Sequence, residues 1–194
     1  PRRRRGDRYD LAMLVDDKEA MPPSNRAALK RFIKAGRQLG IKVDPIDRDA
    51  YTRLGEYDGL FIRETTGIDH HTYQFARKAE QEGMVVIDDP GSILRCTNKI
   101  YLAELMQANG VPVPPTAFVF DDSEAQADSL IAELGLPMVL KIPDGSFSRG
   151  ISKVKDKAEL RAALSGYLKQ SAVVLAQAFM YTDYDWRIGV LNNR

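Results

Sequence analysis

Short apolar runs alternate with amphipathic segments through about the first ninety residues, and this alternation limits the fold more than any other feature. Tyr9 to Val15 is a compact apolar run ending at Asp16-Asp17. Pro22-Pro23-Ser24 then prepares a helix with Ser24 or Asn25 as cap, and Ala28, Phe32, Ala35 and Leu39 recur at helical spacing until Gly40. Ile41 to Ile46 and Gly59 to Arg63 read as the next strands. Asp69 is placed to cap a second helix running through Tyr73, Ala76 and Ala79 to Gly83. Met84 to Ile87 follows as a buried-type strand, closed by Asp88-Asp89-Pro90-Gly91. The pattern predicts an open parallel sheet covered on both faces. The glycine fingerprint G-x-G-x-x-G is absent after the first strand, so a dinucleotide site is not supported.

Open α/β sheets collect ligands at the carboxyl ends of their strands, which directs attention to Arg63-Glu64-Thr65-Thr66. Arg63, with Thr65 beside it, is the candidate for holding a substrate carboxylate, because a guanidinium grips two carboxylate oxygens at once. The plainer alternative is an ion pair with a neighbouring glutamate. His70 and His71, read as adjacent residues of one helix, would point about 100° apart and could not share an ion. No nearby cysteine completes a zinc set, so no metal ligand is expected.

The second half has a different rhythm. From Ser92 to Gly110 the pattern is helical, with an interruption near Thr97 and Lys99 at the front of the second piece. Val111-Pro112-Val113-Pro114-Pro115 must be extended and marks a candidate boundary. Thr116 to Phe120 is a strand, and Ser123 with Gln126 caps a helix whose apolar face carries Ala127, Leu130, Ile131 and Leu134. Asp156 with Glu159 repeats the device ahead of Leu160, Ala163, Leu164, Tyr167 and Leu168. Val173 to Ala176 is a strand entering Gln177-Ala178-Phe179-Met180, and Ile188 to Leu191 reads as a last strand after Asp183, Asp185 and Arg187. Two helices on a mainly antiparallel sheet make an α+β unit.

Inside that unit, Met138 to Val154 reads as strand, small-residue loop, strand. Gly145, Ser146, Ser148 and Gly150 offer bare N–H groups and hydroxyls suited to phosphate oxygens, and Lys141 adds a positive charge beside them. A plain surface turn is the competing reading. Ile151 and Ser152 stand where a Walker loop needs lysine and a hydroxyl residue, and a strand follows rather than a helix.

With 28 basic against 27 acidic residues, the formal charge of +1 gives no field for nucleic acid or an anionic membrane. A basic cluster, Arg2 to Arg5 with Arg8, lacks interleaved aromatics and reads as a tail or linker. The single cysteine, Cys96, excludes an internal disulfide and fits the cytoplasm, and no apolar run reaches the ~18 residues of a membrane span. Self-association would have to show itself as an apolar surface patch.

The order NK at a helix start, then VLKIPDGSFSRG, VLAQAFM and DWRIGVL, resembles the ATP-grasp ligases of the RimK-like and glutathione synthetase-like type, across nearly the whole chain. The resemblance implies a basic tail or linker over 1–8, an N-terminal α/β domain of the pre-ATP-grasp kind over 9–95 and an incomplete ATP-grasp domain over 96–194. It implies that Lys99 and Lys141 contact the nucleotide phosphates. The loop Gly145, Ser146, Phe147, Ser148 to Gly150 would be a lid, and Gln177, Ala178, Phe179 and Met180 a hinge whose backbone pairs with adenine. Asp185 would lie near the ribose, and Arg187 would steady the transferred phosphoryl group. Such enzymes use ATP to turn a carboxylate into an acyl phosphate, which an amine or thiol then displaces; the acceptor can be a peptide or protein tail. Related proteins that bind ATP without turnover, or that phosphorylate hydroxyls, are the alternatives. The family holds Mg²⁺ with an aspartate and a Glu-x-Asn pair on later strands. Those ligands are expected beyond Arg194, so residues 1 to 194 alone are expected to have little or no ligase activity.

Overall fold

A computed structural model describes residues 8–144 and 150–190. The chain divides into two compact units, Pro1–Leu102 and Ala103–Arg194. The first contains β1 (Tyr9–Leu14), α1 (Arg26–Gln38), β2 (Ile41–Ile46), a 3₁₀ helix (Arg48–Glu56), β3 (Gly59–Ile62), α2 (His71–Gln81), β4 (Val85–Ile87) and α3 (Pro90–Thr97). α4 (Lys99–Ala108) carries the division within it.

The first unit's strands are all parallel, in the order β2-β1-β3-β4. The chain leaves β1 toward β2 and returns to β1's other side at β3, so its connections diverge beyond the carboxyl ends of β1 and β3. α1 starts at Asn25, whose Oδ1 accepts the Ala28 N–H at 2.9 Å. It lies close to β2 because residue 36 is glycine: a Cβ there would stand 2.4 Å from Val43 Cγ2. Ala12, Leu14, Leu60 and Ile62 from the sheet pack with Leu54, Phe75, Ala76, Ala79 and Ile93 into one core. Burying each of the larger side chains contributes roughly 1.5–3 kcal/mol.

Two expectations change here, and one element is new. The cap of α2 is His70, not Asp69: His70 has extended backbone (φ −113°, ψ 153°), outside the helix. β4 is an edge strand, so Val85 and Ile87 are exposed rather than buried. No apolar period announces the 3₁₀ helix, which Asp47 caps by accepting the Asp49 N–H at 3.0 Å and which seats the buried Leu54.

The second unit contains β5 (Thr116–Val119), α5 (Glu124–Leu134), β6 (Met138–Lys141), β7 (Ile151–Val154), α6 (Lys157–Leu168) and β8 (Val174–Ala178). Its sheet is antiparallel, in the order β5-β8-β6-β7. Met138, Leu140, Val154, Val174 and Ala176 bury against Ala127, Leu130, Leu160 and Leu164 of the two helices. Strand alternation therefore sends Val139, Lys141, Lys153 and Gln177 to the face opposite α5 and α6. The expected strand at Ile188 does not form: Ile188 and Val190 lie in irregular chain, 82% and 74% exposed, with no strand among the described residues paired to them. Leu191 lies outside the described residues.

Candidate nucleotide site and a second polar cluster

On β6 and β8, Lys141 stands opposite Leu175 and Val139 opposite Gln177, so Lys141 and Gln177 are diagonal neighbours on the face opposite α5 and α6. The Lys141 ammonium donates to Gln177 Oε1 at 2.6 Å, and Gln177 Nε2 donates to Thr116 Oγ1 at 2.8 Å. The Thr116 hydroxyl donates to the Pro114 carbonyl at 2.8 Å, which fixes the direction of the whole chain of bonds. Lys141 is half-buried, and burial holds its pKa below the ordinary lysine value. A neutral amide oxygen accepts from this ammonium but cannot balance its charge; an anionic oxygen would.

The turn that follows is pinched at its base. The Ile142 N–H donates to Gly150 O at 2.9 Å, and Gly150 has φ +68° with Ile142 Cδ1 2.9 Å from where a Cβ would stand. A side chain at 150 would meet both backbone and steric strain. Gly145, Ser146, Phe147 and Ser148 lie outside the described residues.

Two positions of the expected adenine hinge cannot donate to a base. The Ala178 N–H is bonded to Pro115 O at 2.9 Å, and the Phe179 N–H to Pro137 O at 3.3 Å, because the strand needs those donors for itself. The Phe179 ring instead carries the Lys153 ammonium 3.4 Å from its centroid and meets the Tyr181 ring at 4.8 Å. Sequence reasoning missed Lys153, although the two-residue period from Ile151 was enough to put it on the face that holds Lys141. Met180 is exposed. Asp185 accepts a long hydrogen bond, 3.5 Å, from Thr182 Oγ1, and Arg187 lies in the same exposed irregular segment. Lys99 is the first residue of α4, where Asn98 Oδ1 accepts the Ile100 and Tyr101 N–H groups at 3.0 and 3.1 Å.

In the first unit the expected substrate contact of Arg63 gives way to an internal one. Arg63 Nε donates to Ser24 Oγ at 2.9 Å, and Nη2 donates to Ser24 Oγ at 2.6 Å and to Pro23 O at 3.0 Å. Its guanidinium also sits 5.6 and 5.2 Å from the Phe32 and Phe61 ring centroids. Arg63 thus ties the chain before α1 to β3, leaving little of its fork for a carboxylate. Thr65 gives both its N–H and its hydroxyl to the Glu19 carboxylate.

Next to these two, Glu64 turns into a cavity of about 550 Å³ at the carboxyl ends of β1, β2 and β3. Glu64 is 4% exposed; one carboxylate oxygen lies 2.6 Å from His71 Nε2, and the other has no hydrogen-bond partner. Burial pushes Glu64 up to about 7, and burial lowers both His70 and His71. Because His70 caps the helix instead of joining it, the two imidazoles do not diverge: their centroids are 4.0 Å apart, inclined by 40°. The geometric ground for excluding a shared ligand is therefore gone.

No family model matches the chain. Among curated proteins, the chain is similar to the alpha-aminoadipate–LysW ligase LysX of Sulfurisphaera tokodaii, 29% identical over 143 residues that cover 68% of this chain and 48% of that protein. It is 31% identical to the D-alanine–D-alanine ligase of Acinetobacter baumannii over 172 residues, covering 88% and 54%. Among solved structures, a RimK domain ATP-grasp protein from Sphaerobacter thermophilus superposes with a TM-score of 0.70 at 19% identity, over 89% of this chain and 64% of that one. The chain belongs to the ATP-grasp superfamily. It spans about half the length of these curated relatives, 48% and 54%.

The ATP-grasp assignment accounts for the two-unit architecture, a parallel sheet followed by an antiparallel one with helices on a single face. Within the second unit, Lys141, Gln177 and Thr116 form one bonded row. Lys99 belongs to the other unit. No helix among the described residues is long and apolar enough to cross a membrane.

Proposed function

We propose that the whole protein is an ATP-dependent carboxylate–amine or carboxylate–thiol ligase working through an acyl phosphate, and that residues 1–194 supply much of its nucleotide grip. The observation that carries this reading is Lys141: a half-buried ammonium on the face of the antiparallel sheet opposite α5 and α6, held by Gln177 and short of negative charge. Lys141 contacts phosphate oxygens, the role the resemblance also implies for Lys99. The hinge at Gln177 to Met180 offers carbonyls, and Met180 its backbone, to adenine, since Ala178 and Phe179 have spent their N–H groups. Asp185 binds near the ribose and Arg187 steadies the phosphoryl group in flight.

The chemistry follows from positioning. A substrate carboxylate oxygen attacks the γ-phosphorus, ADP departs, and an amine or thiol then attacks the acyl carbon and expels phosphate. Cationic side chains at the phosphate oxygens lower the barrier by stabilising charge that grows there. Among the described residues, one group of three acidic or imidazole side chains comes together, and it lies in the first unit. Cys96 is free and exposed, which suits a reducing, cytoplasmic setting. The acceptor amine belongs to an amino acid, a peptide or a protein tail.

Calorimetric titration with ATP tests the nucleotide assignment. Saturable binding that Lys141→Ala weakens supports it; no binding by wild type, or equal binding by the variant, overturns it. ADP release by the whole protein, followed across carboxylates with and without amines, tests the ligase. Phosphorylated hydroxyl products would instead mark a kinase, and nucleotide binding without turnover a regulatory protein.

A further inference from the structure

We propose that Glu64, His70 and His71 form a binding site for a divalent transition-metal ion of the Zn²⁺ class, held by one carboxylate oxygen and two imidazole nitrogens. The site lies wholly in the first unit and does not depend on the nucleotide reading.

Ligand atoms of the three residues all stand within 4.8 Å of one another. Around a tetrahedral ion with bonds of about 2.0–2.2 Å, neighbouring ligand atoms are roughly 3.3 Å apart. The Glu64–His71 contact of 2.6 Å therefore has to open by less than about 1 Å to admit the ion. A second observation points the same way: the free oxygen of Glu64 is buried without a partner, a position that ordinarily costs about 1–3 kcal/mol. An ion bound between the imidazoles would satisfy that carboxylate.

The ligands are also oriented. His70 Nδ1 lies 3.0 Å from the hydroxyl of Thr72, a fully buried residue, a contact that fixes the ring's orientation. Asp16, Asp17, Asp47 and Asp49 line the adjoining cavity against Lys18 and Arg48, so the surroundings favour a cation. Two nitrogens and one oxygen suit Zn²⁺ and its neighbours better than Mg²⁺ or Ca²⁺, which take oxygen ligands. Three protein ligands leave a coordination position facing the cavity, open to water or a small anionic ligand.

These are the chain's only two histidines, so in tag-free protein every imidazole resonance reports on this site. Zn²⁺ titrated into the chelator-treated chain is expected to bind at one equivalent, shift both sets of ring signals and raise the melting temperature. Excess Mg²⁺ should not compete. His70→Ala, His71→Ala and Glu64→Gln should each weaken Zn²⁺ binding at least about tenfold, while Cys96→Ser leaves it unchanged. Absence of saturable binding overturns the proposal, as does movement of only one histidine's signals, equal competition by Mg²⁺, or unaltered affinity in the three variants. Where a variant fails to fold, the wild-type ring shifts and Mg²⁺ competition decide.

Discussion

In the parallel sheet the polar groups gather beyond the strand ends, around Glu64, whereas in the antiparallel sheet they stand on a face, around Lys141. The difference follows from what covers each sheet. β1 is flanked on both edges and its residues Ala12, Met13 and Leu14 are fully buried, so the polar cavity of the first unit opens past the ends of its strands. The second unit packs both helices on one face and leaves the other to Lys141, Lys153 and Gln177. Each sheet also buries a charge of one sign without a full counter-charge, a carboxylate in the first and an ammonium in the second. The two proposed ligands are opposite in the same sense: a cation at the strand-end cavity, phosphate beside Lys141.

The sharpest way to break that contrast is Lys141→Ala. Losing a charge-assisted contact worth about 1.5–3 kcal/mol should lower ATP affinity roughly ten- to 150-fold by calorimetry, while Lys30→Ala on the exposed side of α1 changes nothing. Stability should respond to pH through the same group. Below its depressed folded-state pKa, Lys141 is charged in both states and its burial penalty is fully present. As pH climbs toward 10.5, the folded chain releases the proton before the unfolded chain does, so stability rises across that window. Lys141→Met should lack this rise in urea melts followed at stepped pH; an identical slope would remove burial of the charge from the account.

Arg63 tests the other unit. Its bonds to Ser24 and Pro23 and its place beside Phe32 and Phe61 make it a structural tie, and Ser24→Ala should cost about 2 kcal/mol in urea unfolding. In a double-mutant cycle, Ser24→Ala should add little once Arg63 is alanine. Additive losses would instead return the guanidinium to a ligand. Gly150→Ala comes next, at about 1–2 kcal/mol, because the positive φ and the 2.9 Å approach to Ile142 both resist a methyl group. A thermal melt matching wild type would show that the pinch is not fixed.

How much of this was legible depended on the range of the interaction. The strands and the caps at Asn25, Ser123 and Asp156 were readable because a two- or four-residue pattern encodes them. The break between α3 and α4 was readable as well, at Thr97. Arg63 was misread because its partner, Ser24, is 39 residues away and nothing local announces it. The histidine pair was misread through a one-residue error in the helix start: with Asp69 as cap both rings would sit on the helix and diverge, while with His70 as cap they stack. The same kind of margin hid β4's exposure, since an apolar triplet reads alike at the centre and the edge of a sheet. Residues 188–190 were apolar enough for a strand but have no partner among those described, and a strand is a property of a pair.

The smallest expected effect compares the two units at their helix caps. Asn25 Oδ1 accepts the Ala28 N–H at 2.9 Å, and Ser123 Oγ accepts the Gln126 N–H at 3.1 Å. Substituting either by alanine should cost about 1 kcal/mol, since each removes one satisfied donor from a first turn. The two losses should nevertheless differ in what else they touch. α5 buries Ala127 one turn after its cap, beside Leu130 and Leu134, so packing holds that first turn even when Ser123 is lost. α1 buries Gly36 near its far end and has little to hold its front, so Asn25→Ala should fray it and speed amide exchange at Ala28 and Leu29 beyond anything seen at Gln126 and Ala127. Equal exchange at the two ends would mean that capping, not packing, decides both.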